Sequence, residues 1–454
     1  MKYISLIEKY NVPGPRYTSY PTVPFWKDND LRETEWLKTI KRNRTAFKSN
    51  ELSLYIHLPF CESLCTFCGC HKRITKNHSV EEPYIDTLIK EWALYNDLIF
   101  QEDYRIKELH FGGGTPTFFS PDELIRLLKN LFKTDNIDPE KCELSFEAHP
   151  GNTSVEHLDK LFHFGFRRLS LGIQDYNEEI QKAIHRIQSF EQVKTVHETA
   201  RKMGYSSISH DLVFGLPKQT LAHINHTVEQ TLKLMPDRIS LYSYAHVPWI
   251  KGVGQRGFSE DDLPKDEEKR ALYEAAKTKL EAAGYIEIGM DHFALPHDPL
   301  AVALKNKTLH RNFMGYTTQY TDLLIGLGMS AISDSWFGFA QNDKTVESYQ
   351  AIVNSGRLPV FRGHILSEQD LVIRKCILDL MCHFETNLSA ISDGSIKNKI
   401  IEDLSELESD NLVLINKDSV IVPEPGIPFV RNICMCFDQY LSERTTTNLF
   451  SKTI

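Results

Sequence analysis

The sequence predicts an α/β protein built on an open, partial (β/α)6 barrel, with an N-terminal arm and a mostly helical C-terminal domain. Three observations carry this. Strand-like stretches alternate with amphipathic helices from residue 51 onward, helix caps recur between them, and polar residues collect at the C-terminal ends of the strands, where barrel enzymes keep their working groups. The 454 residues are 41% hydrophobic and 25% charged, ordinary globular usage that leaves no large part to disorder. A net charge of −9 argues against a general nucleic-acid binder. No apolar run reaches the ~18 residues of a membrane span, and Met1 to Tyr10 lacks a signal-peptide core. The expectation is a soluble, cytoplasmic protein in three units: an arm over 1–50, a barrel with its extension over 51–364, and a cover over 365–454.

In the arm, three prolines between Asn11 and Thr22 disfavour helix and ladder, so this piece is expected to run extended over a surface. Lys38, Lys41, Arg42, Arg44 and Lys48 then fall on a helix as a solvated face. Leu52, Leu54, Ile56 and Leu58 alternate with Ser53, Tyr55 and His57, the period of a strand. A helix is expected over 82–99, then a strand over 106–111 ending in Gly112-Gly113-Gly114-Thr115-Pro116. Ser120-Pro121-Asp122-Glu123 reads as a capping box with proline at the first helical position, opening a helix to about Phe132. Further strands are expected at 143–147, 168–173, 208–214 and 238–244, with Ser189 to Gln192 capping one intervening helix and Gly204 ending it. Glu147, Gln174 and Asp211 fall at or near strand ends, so they converge on one mouth with the loop after the first strand and the glycine turn after the second.

Beyond Lys265 the pattern gives a helix, a strand over 286–290 and a long irregular stretch rich in glycine and aromatics, read as substrate wall. Three helices, over 371–384, 396–409 and 429–441, and a hairpin around Asn416 to Ser419 complete the chain. Such a unit resembles a winged helix, but residues 365–454 hold 8 Lys and Arg against 14 Asp and Glu, the wrong balance for phosphate.

The chemistry is concentrated in Cys61-Glu62-Ser63-Leu64-Cys65-Thr66-Phe67-Cys68-Gly69-Cys70, directly behind the first strand. Thiolates bind soft metals, and the C-x3-C-x2-C spacing lets one loop wrap a compact cluster. Three ligands suit a four-iron cluster with one iron open to an amine and a carboxylate, as S-adenosylmethionine (SAM) carries. Structural zinc is the rival, although the five remaining cysteines form no spaced second half-site. Nine cysteines, an odd count, disfavour a disulfide framework. The triple glycine lacks the Gly-Lys-Ser/Thr ending of a P-loop, and its bare backbone suits close approach of a cofactor instead.

The cysteine triad, with Phe67 before its third member, resembles the radical SAM superfamily. Pro15 to Pro21, Cys68-Gly69-Cys70, Gly289 to Ala294, Asn312-Phe313 with Gly315 to Thr318, and Arg431 to Asp438 resemble more narrowly the oxygen-independent coproporphyrinogen III oxidase family, from Tyr10 to the C-terminus. That resemblance implies a [4Fe-4S] cluster on Cys61, Cys65 and Cys68, with Cys70 close by and not a ligand, and two SAM molecules. One would contact Tyr55, Gly113, Glu147, Ala245 and Ile332. The other would lie against Phe67, Gly114, Thr115, Gln174, Arg186 and Asp211. Tyr55 and Cys70 are the implied catalytic residues, and Arg16 and Arg311 are assigned to substrate propionates. The implied reaction is radical oxidative decarboxylation of two propionates to vinyl groups in porphyrin and haem biosynthesis, by a monomer drawing electrons from a flavodoxin- or ferredoxin-type donor. A haem-carrying relative of the same fold is the alternative; Cys70 and the Arg-Tyr-Thr-Ser-Tyr-Pro arm favour the oxidase.

Overall fold

The computed structural model describes residues 2–28, 31–132, 141–247, 255, 257–441 and 449–453. Six parallel strands, β1 (Glu51–Leu58), β2 (Arg105–Gly113), β3 (Glu143–Ala148), β4 (Arg168–Gln174), β5 (Ser207–Phe214) and β6 (Arg238–Ser243), lie side by side in chain order. Helices Glu81–Tyr95, Pro121–Leu131, Val155–Phe164, Phe190–Met203 and Leu221–Leu234 connect them. This is the expected α/β barrel with an open edge. Ser189 and Gln192 form a complete capping box and Gly204 closes that helix in the left-handed region, as read; at Ser120 only half of the expected box forms, since its hydroxyl accepts from the Glu123 backbone while its own N–H donates to Glu81 and Arg126 takes the Glu123 carboxylate.

The alternation in β1 separates two buried faces. Leu52, Leu54, Ile56 and Leu58 join Tyr84, Leu88 and Trp36 in the main core, each buried leucine contributing roughly 2 kcal/mol. Ser53, Tyr55 and His57 are equally buried but hydrogen-bonded, as buried polar groups must be.

The irregular stretch after residue 310 is a point of difference. Leu324–Leu327 forms a seventh parallel strand, β7, in register with Ser53 to Ile56 on the outer side of β1. Glycines at 326 and 328 hide it, because strand propensity discounts glycine while pairing with β1 does not. From β7 the sheet continues antiparallel through Ile332–Asp334, Gly338–Asn342, Val360–Ile365 and Lys27–Asp28; beyond β6 it continues through His292–Ala294 and Ile286–Gly289. A separate hairpin pairs His310–Asn312 with Gly315–Thr317.

The arm also differs from an extended covering. It opens with a helix, Lys2–Tyr10, and Leu6, Tyr10, Tyr17 and Tyr20 enter a second core with Ile373, Leu380, Ile400, Leu404 and Ile433. Buried Arg431 fastens it: Nε donates to the Pro15 carbonyl at 2.9 Å, Nη2 to the Gly14 carbonyl, and Nη1 to the carbonyls of Thr453 and Lys452 at 3.0 and 3.2 Å. The last C-terminal helix, Val430–Met435, stops well short of 441 because the Asp438 carboxylate accepts from the Tyr440 backbone, turning the chain. Glu385–Asn387 adds a third strand to the hairpin of Leu414–Asn416 and Ser419–Ile421. Among the described residues no helix is long and apolar enough to cross a membrane.

Two expectations follow from buried polar groups. Glu91 accepts from the Gly328 backbone, Tyr349 and Asn342, yet burial raises its carboxyl to about 7. The folded state therefore holds a proton that the unfolded chain releases near pH 4.5, so this group's contribution to stability falls as pH rises from about 4.5 to 7, by at most about 1.4 kcal/mol per pH unit. Glu91→Gln should remove that slope in thermal melts taken across the window. Arg431→Met strands four carbonyls and should cost on the order of 3 kcal/mol, read as earlier denaturant unfolding with proteolysis moving to residues 11–20.

Candidate active site

β1 ends at Leu58, and Phe60–Cys61 pairs with Arg73–Ile74, which closes the cysteine loop on itself. The loop is tied down from outside. Thr66 donates its backbone N–H to Ile184 and its hydroxyl to Ala183, and Gln255 Nε2 bridges the carbonyls of Phe67 and Ala245 at 3.1 and 2.9 Å. Lys72 Nζ donates to the carbonyls of Cys68 and Cys70 at 3.3 and 3.2 Å. Cys61, Cys65, Cys68 and Cys70 thereby line a cavity of about 360 Å³ together with Phe67, Gly113, Gly114, Thr115, Glu147, Gln174, Arg186 and Asp211.

Bare backbone forms one wall. A Cβ on Gly114 would meet the Pro59 carbonyl oxygen at 2.5 Å and Cys61 Sγ at 3.0 Å, while Gly113, at φ +116°, would drive one into the His57 ring. Glu147 accepts from the Gly113 backbone at 3.3 Å and lies 3.5 Å from His110 Nε2. Asp211 accepts from Ser170 at 2.7 Å, and burial raises its carboxyl to about 6. Arg186 donates Nη2 to the Gly172 carbonyl at 2.5 Å, lies 3.8 Å from Cys65 Sγ through Nη1, and keeps a buried Nε without a partner. Gln174 sits at φ +70°, a strained conformation for a non-glycine residue at the end of β4.

These donors suit a sulfur-ligated cluster and SAM. The hydrogen bond from Cys70, aided by Lys72, holds the Cys68 thiol down to about 6, toward the thiolate that iron binds, whereas burial pushes Cys61 up to about 11, so metal must displace its proton. Among the described residues no three His, Cys, Asp or Glu side chains converge on a single-ion position. Tetrahedral zinc requires such convergence, while a cluster offers each thiolate its own iron. Glu147, Asp211 and the open Arg186 Nε supply groups for an amine, ribose hydroxyls and a carboxylate beside the glycine wall.

Three of the anticipated cofactor residues stand back from the cavity lining. Tyr55 lies behind it, its ring against Phe313 at 4.8 Å; Ala245 reaches it through Gln255; Ile332 packs toward Trp26, Phe339 and Leu366. Arg16 is paired with Asp291, and Arg311 donates to the Arg16 carbonyl at 3.4 Å; both lie away from the cysteines. Sequence reasoning missed His57. Its Nε2–H donates to the His71 carbonyl at 2.8 Å, so Nδ1 accepts from the Tyr55 hydroxyl at 3.0 Å, and burial keeps the ring neutral. With its proton given to His57, the Tyr55 oxygen is left as an acceptor beside the backbone of Gly112. The period-two alternation already placed His57 on the face of Tyr55. Lys72, three residues past the first Gly of the loop, carried no signal of its own.

Comparisons with known proteins agree with this arrangement. Residues 55–231 match the radical SAM superfamily. The chain is 39% identical to the oxygen-independent coproporphyrinogen III oxidase of Pseudomonas aeruginosa, covering 96% of this chain and 95% of that protein. It is 40% identical to the same-named protein of Helicobacter pylori strain J99, covering 98% of each. The solved structure of coproporphyrinogen III oxidase from Escherichia coli, described as a radical SAM enzyme, superposes with a TM-score of 0.88 at 37% identity over 96% of this chain and 99% of that one. With relatives of this similarity spanning arm, barrel and cover alike, the chain belongs to the oxygen-independent coproporphyrinogen III oxidase family of the radical SAM superfamily.

Proposed function

We propose that this enzyme converts coproporphyrinogen III to protoporphyrinogen IX without oxygen, turning two propionates into vinyl groups. Each turn removes one β-hydrogen atom, carbon dioxide and one electron. A cavity lined by cysteine thiols, a glycine backbone wall, carboxylates and an arginine, in a chain whose relatives match it nearly end to end, carries this reading. The haem-carrier alternative has no comparable support, since those near full-length relatives are described as oxidases.

When bound, a [4Fe-4S] cluster and SAM supply the electron and the hydrogen-abstracting radical. The protein's part is to hold and to exclude. Cys61, Cys65 and Cys68 would ligate the cluster, with the loop fixed by Thr66, Lys72 and Gln255. Tyr55, its proton committed to His57, would accept from one SAM, with Gly113, Glu147, Ala245 and Ile332 around it. Phe67 would pack on the adenine of a second SAM, Arg186 would pair with its carboxylate, and Gly114, Thr115, Gln174 and Asp211 would complete its site. Cys70 would serve turnover rather than ligation, and Arg16 and Arg311 would meet substrate propionates. The arm, barrel and cover, taken as 1–50, 51–364 and 365–454, would act as lid, catalytic body and seal in a cytoplasmic monomer supplied by a flavodoxin- or ferredoxin-type donor.

The test is anaerobic reconstitution with iron and sulfide, followed by SAM, a strong reductant and coproporphyrinogen III. Protoporphyrin should accumulate with 5′-deoxyadenosine; an intact cluster yielding neither product would sink the reading. Cys61→Ser, Cys65→Ser and Cys68→Ser should each abolish the visible cluster absorption, while Cys70→Ser keeps it and loses turnover. Asp211→Asn and Arg186→Met should lower the affinity for one of two SAM equivalents by about tenfold or more in equilibrium binding, leaving the cluster spectrum unchanged.

A further inference from the structure

Outside the cysteine cavity, where the hairpin of His310–Asn312 and Gly315–Thr317 meets the arm and the C-terminal helices, Arg311 is only 4% exposed. Its guanidinium lies over the Tyr316 ring at 4.6 Å, and Nη2 reaches the Arg16 carbonyl at 3.4 Å. Nε and Nη1 are enclosed without a hydrogen-bond partner, and among the described residues no carboxylate pairs with this arginine. A buried guanidinium without counter-charge is destabilising, and a ligand carrying the missing charge would relieve it. The neighbouring Arg16 already has a carboxylate partner in Asp291, so of the two arginines Arg311 is the one without counter-charge.

His292 adjoins this arginine. Its ring stands edge-on to Tyr316 at 5.4 Å and to Tyr242 at 5.8 Å, and its buried Nδ1 also has no partner. Burial beside Arg311 and Arg16 lowers this imidazole to about 3, so it stays neutral and offers a hydrogen bond without adding charge. Tyr242 lies on β6, the strand next to the one that carries Asp211 into the cysteine cavity. The two unsatisfied side chains therefore sit beyond that cavity, on the side of β6.

Accepting the tetrapyrrole reading of the substrate, we propose that Arg311 and His292 form an anchoring subsite for the carboxylate of a propionate that is not reacting, and so determine which pyrrole ring faces the cysteine cavity. A carboxylate held here is not the one being lost, because neither residue lines the cavity of the cysteines. The substrate keeps at least two other propionates after the first decarboxylation, so the same anchor serves both turns. Arg311 and His292 are positioning residues: they orient the substrate and leave SAM cleavage to the far side of the barrel mouth.

The experiment compares the full-length reconstituted enzyme with Arg311→Met, Arg311→Lys and His292→Gln. Binding of coproporphyrin III and of its tetramethyl ester is followed by quenching of protein fluorescence, alongside kcat, KM and release of the tricarboxylate intermediate. Arg311→Met should weaken the free acid on the order of ten- to a hundredfold and leave the ester unchanged. It should also raise KM and release more tricarboxylate intermediate. Arg311→Lys should restore part of the acid affinity, and His292→Gln should lose less than Arg311→Met. Wild-type discrimination between acid and ester in Arg311→Met overturns the subsite; should that variant fail to take up its cluster, the same discrimination retained in both Arg311→Lys and His292→Gln does so. Failure of the wild type to form protoporphyrin would instead overturn the activity itself.

Discussion

The structure depends on the pairing of β1 with parallel neighbours on both sides. Its residues 51–58 register with 105–113 of β2, and its central four with 324–327 of β7. A strand hydrogen-bonded on both edges and buried on both faces is the least deformable place in a sheet from which to launch a loop. The first cysteine, Cys61, follows three residues beyond its end. Because β2 runs alongside and ends in the glycine turn, the same register that fixes the loop also brings Gly113 and Gly114 against Pro59, His57 and Cys61. Thiol geometry and the bare cofactor wall are thus two outcomes of one pairing.

Much of the barrel was legible because its information is local. The period of two in β1, the serine caps at 120 and 189 and the glycine stop at 204 each act within a few residues, and the six strands fall where they were read. The cavity was legible in part. Glu147, Gln174 and Asp211 could be aligned at strand ends by counting, whereas the tie from Gln255 to Phe67 spans 188 residues and leaves no trace in either segment. β7 escaped notice because its stability lies in its partner: four residues interrupted by Gly326 and followed by Gly328 have weak strand propensity of their own, and pairing with Ser53 to Ile56 makes them a strand.

The arm shows the same division. Its prolines correctly suppress helix between residues 11 and 22, but nothing local marks Tyr17 and Tyr20, 1% and 2% exposed, as core. Tyr17 donates to Asp438 and Tyr20 accepts from the Gln439 backbone, so their hydroxyls are satisfied by a segment more than 400 positions away. Arg431 is the counterpart in the cover. A lone arginine in an apolar helix suggests a salt bridge, yet here it meets only carbonyls, a pairing that no charge pattern in the sequence announces.

Arg431 gathers carbonyls from residues 14 and 15 and from residues 452 and 453, which gives the clasp a direction in time. A ribosome makes the first pair early and the second more than 430 residues later. Until then the arm lacks both the arginine and the strand-like partner at Lys452 that hold it in place. The strands β1 to β6 and the cysteine loop, by contrast, have their strand partners once β7 is made. The barrel strands can therefore pair before the arm is clasped, and the side of the molecule facing Arg16 and Arg311 waits for residues 452 and 453.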